Sequence, residues 1–177
     1  MKNQNIRNTN TKEKIINAFI ALLKKKSIED ITIKTITEKA QINRATFYAH
    51  FEDKFYLFNY MTNSSIFNVV NESITHHSDS ITNQIDNLFD SIINYLNNIK
   101  HNCPYSYNKL FPYLRPLFID TITKKLNHII KNEPIYNMLI AGAIFDAAEI
   151  SLADSSEHSY SEIQEKLMVF INSYKNL

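Results

Sequence analysis

Glycine is almost missing from these 177 residues: Gly142 stands alone, beside four prolines, one cysteine and no tryptophan. Sheet proteins with many tight turns need more of both turn-formers, since glycine reaches left-handed backbone freely and proline pre-sets turns. The shortage points to helices. A single Cys103 excludes an internal disulfide framework and any cysteine-built zinc site. No apolar run nears the roughly 18 residues of a membrane span, and the first residues lack an apolar signal core. A cytoplasmic chain with no membrane partner is expected. Also missing are a Gly-rich phosphate loop, a metal-ligand cluster and an activated nucleophile; His101 and Cys103 have no visible third partner. Neither enzyme activity nor a metal or cofactor is expected.

What is present argues for a folded chain. Hydrophobic residues make up 44%, with 10 Tyr and 11 Phe, enough apolar surface for one domain or two small ones. The net charge is only +1, but its distribution is uneven. Residues 1–60 hold 11 Lys+Arg against 6 Asp+Glu, and residues 61–177 hold 8 against 12. A basic front joined to an acidic remainder suits a phosphate-facing module on a regulatory body, with ordinary surface scatter as the plainer reading.

Residues 32–51, TIKTITEKAQINRATFYAHF, organise the rest. Thr32 has the hydroxyl of an N-cap, and Ile33, Ile36 and Ala40 recur on one helical face. Asn43 is a second N-cap candidate after the break at Gln41-Ile42, and Phe47 and Phe51 repeat four apart. The outward side chains Arg44, Thr46, Tyr48 and His50 include no acid, and all donate hydrogen bonds suited to phosphates or base edges. Two short helices around a tight turn, the second rich in donors, read as a helix-turn-helix.

The pattern Thr32-Ile33-x-x-Ile36-x-x-x-Ala40-x-Ile42-Asn43-x-x-Thr46-Phe47-Tyr48-x-His50-Phe51-x-x-Lys54 resembles the DNA-binding region of the TetR family of bacterial regulators, over roughly residues 9–69. The resemblance implies an all-α fold of about nine helices. A three-helix helix-turn-helix head (residues 9–69) would join through a long helix to a helical ligand-sensing and dimerisation body (residues 70–177). It implies phosphate contacts from Thr32 and Thr35, backbone clamping by Tyr48, His50 and Lys54, and base reading by Arg44, Ala45 and Thr46 beside the cap Asn43. Three departures are losses of glycine: the family usually has Gly where this chain has Ser27, Gln41 and Ala45. Gln41 sits where the turn wants left-handed backbone, at a cost of roughly 1 kcal/mol. Ala45 favours the recognition helix by about as much.

Along the chain, residues 1–10 read as a polar arm carrying Lys2 and Arg7, and Thr11 to about Lys26 as the first helix on Ile15, Phe19, Leu22 and Leu23. A long helix is expected from Asp53 to about Thr75, closed by His76 and His77 as partners of its C-terminal dipole. Asp79–Lys100 is a clean amphipathic helix. Residues 101–118, with three prolines and five aromatics, read as an irregular segment that either lines a ligand cavity or caps the core. About Leu114–Lys131 follows as a helix, then Pro134 at a first-turn position. The next helix is apolar almost all round and rich in small residues, and Ser159 with Glu162 forms a capping box for the last one.

In the TetR family the final two long helices make a four-helix dimer interface. Carried over, it would comprise Ala141, Gly142, Ile144, Phe145, Ala148, Leu152, Leu167, Phe170, Ile171 and Tyr174, with close backbone approach as the reason for Gly142. The expected function is a homodimeric regulator of a double-stranded DNA operator, a repressor released by a small-molecule effector. Its ligand-binding residues are unknown. Activation is the alternative within the family, and a helical adaptor without DNA binding the alternative outside it.

Overall fold

The computed structural model describes the backbone at residues 2–74, 80–130, 133–153 and 157–174, and side chains at 10–74, 80–130, 133–153 and 157–173. Among these residues are eight α-helices and no strand: α1 (Lys2–Leu23), α2 (Ile33–Ala40), α3 (Arg44–Tyr48), α4 (Lys54–Ser73), α5 (Ile81–Asn102), α6 (Tyr107–Ile129), α7 (Pro134–Ser151) and α8 (Tyr160–Tyr174). They divide into two compact units, Met1–Thr62 with Ile99–Tyr113, and Asn63–Asn98 with Leu114–Leu177. Residues 99–113 thus sit in the first unit.

The first unit is built on the stripe that the sequence marks on α1. Ile15, Phe19 and Leu23 are buried, as are Ile31, Ile36 and Phe47 of the segments that follow, each a side chain worth about 1.5–3 kcal/mol on transfer from water. Asp53 starts α4 by accepting the N–H groups of Phe55 and Tyr56 at 2.8 and 2.7 Å, which satisfies two of the four orphan donors at a helix start. The second unit repeats the logic at larger scale. On α5 the buried residues Ile85, Leu88, Phe89, Ile92 and Leu96 fall at helical spacing on one face. On α7, Asn137, Ile140, Ala141, Ile144, Phe145 and Ala148 are buried. Glu133 is the N-cap of α7 and Pro134 opens it, where its missing N–H costs nothing. Ser159 and Glu162 bond reciprocally at the start of α8, the capping box in the sequence.

Two expectations change. The polar arm is not separate, because α1 begins at Lys2; no Gly or Pro precedes Pro104, so nothing there breaks the hydrogen-bond ladder. The segment 101–118, expected to be irregular, is helical from Tyr107 onward, with Pro112 and Pro116 inside α6. Each internal proline removes one bond to the carbonyl four residues back, at about 3 kcal/mol. The helix survives because Leu110, Leu114, Phe118, Ile122 and Leu126 are fully buried at strict four-residue spacing, while both prolines lie on the exposed face. The proposed helix end at His76 and His77 lies outside the described residues.

Candidate nucleic-acid interface

The helix-turn-helix is assembled from local hydrogen bonds. Thr32 and Thr35 cap α2 reciprocally: each hydroxyl oxygen accepts the other residue's N–H, at 3.2 and 3.1 Å. The Thr35 hydroxyl proton goes to the Thr32 carbonyl at 2.8 Å. At the far end Gln41 adopts φ 56, ψ 47, the only positive φ among the described residues. Its N–H bonds the Glu38 carbonyl at 3.2 Å and the Ile42 N–H bonds that of Thr37 at 3.0 Å, the paired closure that a left-handed residue makes possible. Of the three positions where the family usually has glycine, Gln41 alone uses glycine's conformational freedom.

Asn43 opens α3 by accepting the Thr46 N–H at 2.7 Å and the Thr46 hydroxyl at 2.9 Å. Thr46 is left with a methyl and an acceptor to offer. Phe47 is fully buried and stands edge-on to Tyr48 with ring centroids 5.6 Å apart, which fixes the roll of the short helix. That roll leaves Asn43, Arg44, Ala45 and Tyr48 exposed and His50 half-buried beside Phe51. Tyr48 is 57% exposed, a large value for a tyrosine in a well-packed unit.

Lys54 is placed otherwise than expected. Its ammonium donates to the carbonyls of Ile28, Glu29 and Ile31 at 2.6, 2.9 and 2.8 Å. An ammonium has three protons, so all are committed to the α1–α2 link. Burial pushes its pKa down, while Asp30, Glu29 and Asp53 pull it back up. A contact to phosphate would require giving up one of these bonds.

The family-derived dimer residues also need correction. Ala141, Ile144, Phe145, Ala148 and Ile171 are fully buried within the chain and Leu167 nearly so; they are core. Gly142, Leu152 and Phe170 keep partial exposure, and the Tyr174 side chain lies outside the described residues. The exposed apolar residues of the last two helices are instead Ile135, Met138, Leu139, Ile150 and Val169. A Cβ added at Gly142 would meet only the Arg115 guanidinium at 3.9 Å, so no close approach within the chain requires glycine.

Grooves open at the surface of the second unit. One of about 430 Å³ is lined by Asn63, Phe67 and Asn71 and by Asp120, Lys124, Lys125 and His128 of α6. Another of about 670 Å³ runs along α6 and α7 from Met138 and Leu139 to the Arg115–Asp146 ion pair, whose two hydrogen bonds are 2.8 and 3.0 Å. The aromatic residues of 101–118 do not line either groove. In the first unit Tyr113 stacks on Phe55 at 4.7 Å and Tyr107 meets Phe111 edge-on. Among the described residues no group of three or more His, Cys, Asp or Glu is placed to hold a metal, and no helix is long and apolar enough to cross a membrane. Sequence reasoning missed Ser106, whose hydroxyl reaches Ile28; a serine among turn residues gave no sign of a partner 78 positions away.

Comparison with known proteins agrees with this geometry. Residues 15–61 match the family model for bacterial regulatory proteins, tetR family. A stretch of 38 residues is 50% identical to the uncharacterized HTH-type transcriptional regulator YxbF of Bacillus subtilis (strain 168), covering 22% of this chain and 10% of that protein. Among solved structures, the TetR family repressor AlkX from Dietzia sp. strain DQ12-45-1b is 16% identical at a TM-score of 0.60, with 94% of this chain and 96% of that one covered. RolR, in complex with the ligand resorcinol, is 15% identical at 0.61, with 96% and 93% covered. At these identities the likeness is one of fold.

Proposed function

We propose, for a chain that belongs to the TetR family of bacterial regulatory proteins through residues 15–61, that it is a homodimeric transcriptional repressor released from its operator by a small molecule. The observation that carries the reading is the doubly capped α2–turn–α3 unit with Arg44, Ala45 and Tyr48 exposed on its outer face. Arg44 reads a base edge, Tyr48 and His50 hold the phosphate backbone, and the Thr32 hydroxyl, whose proton has only a long 3.4 Å partner in Thr35, can donate to phosphate at the start of α2. Two copies would place their recognition helices in successive major grooves about 34 Å apart on a pseudo-palindromic site.

The exposed row Ile135, Met138, Leu139 and Ile150 with Val169 supports self-association through α7 and α8, since an apolar row of this length on one face calls for a cover. The groove of about 430 Å³ beside α4 and α6, away from that row, is large enough for a small effector, and RolR binds resorcinol in the same fold. Differential binding to two head separations would give a response of about 5–150-fold, from a coupling of about 1–3 kcal/mol.

The test is DNA binding by the full chain at rising salt. Neutralising several phosphates predicts a loss of about 10³–10⁵ in affinity between roughly 50 and 200 mM. Absence of DNA binding at every salt concentration would sink the proposal. Arg44→Ala should relax preference at one base pair by about 1–3 kcal/mol; equal losses on specific and random duplexes would remove Arg44 from the reading role.

A further inference from the structure

The link between α1 and α2 is gripped from two directions, both within the first unit. Lys54, at the first turn of α4, holds the carbonyls of Ile28, Glu29 and Ile31. Ser106, in the turn between α5 and α6, accepts the N–H of Ile28 at 2.7 Å. Ser106 is fully buried and Ile28 is 1% exposed, so water does not substitute for either partner.

The placement of Ser106 is unusual for its position. It immediately precedes α6 and its carbonyl accepts the Leu110 N–H at 3.0 Å, which makes it the N-cap of that helix. A serine there ordinarily turns its oxygen onto an N–H of its own first turn. Here the oxygen accepts from Ile28 in another part of the unit. Lys109 pairs with Glu29 of the same link, and Tyr113 stacks on Phe55 one residue beyond Lys54. The start of α6 is thereby fastened to the segment that ends at Thr32, the cap of α2. Between Ile31, held by Lys54, and Ile33, the first residue of α2, lies one residue.

We propose that Ser106 and Lys54 are positioning residues for DNA recognition: together they set the α1–α2 link, hence the helix-turn-helix that follows it. The proposal rests on the DNA-binding reading above. It gives Lys54 a role through the link and none at phosphate.

The experiment uses the full-length protein and a duplex that it enriches from a random library. Affinity for that duplex is measured across salt for wild type, Ser106→Ala and Lys54→Met, with amide exchange followed at Ile28. Ser106→Ala should weaken binding about tenfold, the scale a lost buried hydrogen bond sets, with the salt slope unchanged and Ile28 exchange accelerated. Lys54→Met should also lose affinity at unchanged slope. A slope smaller by about one puts Lys54 on a phosphate and overturns its assignment. The double variant should lose less than the product of the single losses, because both act through one link; strict additivity counts against it. Wild-type affinity in Ser106→Ala overturns the role of Ser106. If Ser106→Ala loses its helical circular dichroism, Ser106→Cys, a weaker acceptor of similar size, replaces it with the same expected directions. Failure of the wild type to enrich any duplex sinks the DNA-binding reading, and Ile28 exchange then judges the clamp alone: unchanged exchange in the variant overturns it.

Discussion

Restoring glycine at Gln41 and at Ala45 should move stability in opposite directions. Gln41 holds φ 56, ψ 47, where a side chain clashes with the following carbonyl at a cost of about 1–2 kcal/mol. Its side chain is exposed, so Gln41→Gly gives up no packing. Against the relief stands the greater freedom of glycine in the unfolded chain, about 0.4–1 kcal/mol. The net gain is about 0.5–1 kcal/mol, or a rise in Tm of roughly 1–4 °C for a chain of this size. Ala45 sits inside α3 at helical φ, its carbonyl accepting the Ala49 N–H at 3.0 Å. Ala45→Gly should therefore cost about 1 kcal/mol and lower Tm by a similar amount. The assay is a thermal melt of the two variants beside wild type, with denaturant midpoints as a second measure. Two shifts of the same sign, or a fall in Tm for Gln41→Gly, would refute the claim that only the turn position carries left-handed strain.

Leu139→Asp should break self-association while the chain stays folded. In a two-fold interface the charge enters twice, and at about 2 kcal/mol each the dimer weakens about 10³-fold; an unchanged sedimentation profile would take α7 out of the interface. Glu162 is held below its ordinary 4.5, first by the Ser159 N–H and then by its hydroxyl. A depressed folded pKa contributes stability above the unfolded value and loses it as pH falls through the folded one. Glu162→Gln should flatten that part of the loss below 4.5 in pH-dependent melts, and an identical acid limb would count against the cap. Tyr160 is pushed up to about 12 by burial first and by its hydrogen bond to Asp90 second. A raised folded pKa gives stability that is full below the ordinary 10 and fades as pH climbs to about 12. Tyr160→Phe should remove one phenol from the part of an absorbance titration near about 12, and an unchanged amplitude there would contradict this.

Much of the fold was legible because it is written in local chemistry. The caps at Thr32, Asn43, Asp53 and Ser159, and Pro134 in the first turn of α7, all stand where residue type placed them. The left-handed turn at Gln41 came with the family resemblance, the family usually having glycine at that position. What failed was the weight given to proline. Residues 101–118 looked irregular because three prolines fell within them, yet the four-residue apolar spacing from Leu110 to Leu126 continued underneath. A buried stripe outweighs two missing hydrogen bonds when the prolines lie on the solvent side.

The site was half legible, and the division has a physical cause. Outward residues of a capped helix are fixed by periodicity, so Arg44 and Tyr48 could be placed from spacing alone, while Thr46 and His50, read outward with them, are half-buried. A helix apolar all round offers no such phase. On α7 the small residues Ala141 and Ala148 suggested a seam for a second copy, but small side chains also let a helix sit close within its own core, and there they are fully buried. The exposed row is instead the one with the larger side chains, Met138 and Leu139, with Gly142 beside them. That arrangement gives the lone glycine a meaning that the chain itself does not supply. With only Arg115 near its missing Cβ, packing inside the chain does not call for glycine there, and in the dimer proposed above a second α7 crossing at Gly142 would fit both the glycine and the apolar row. Gly142→Ala separates the two: its Cβ meets only Arg115 at 3.9 Å within the chain and a helix gains about 1 kcal/mol by it, so the subunit should stay folded while association falls, and a dimer of wild-type strength would place the interface elsewhere.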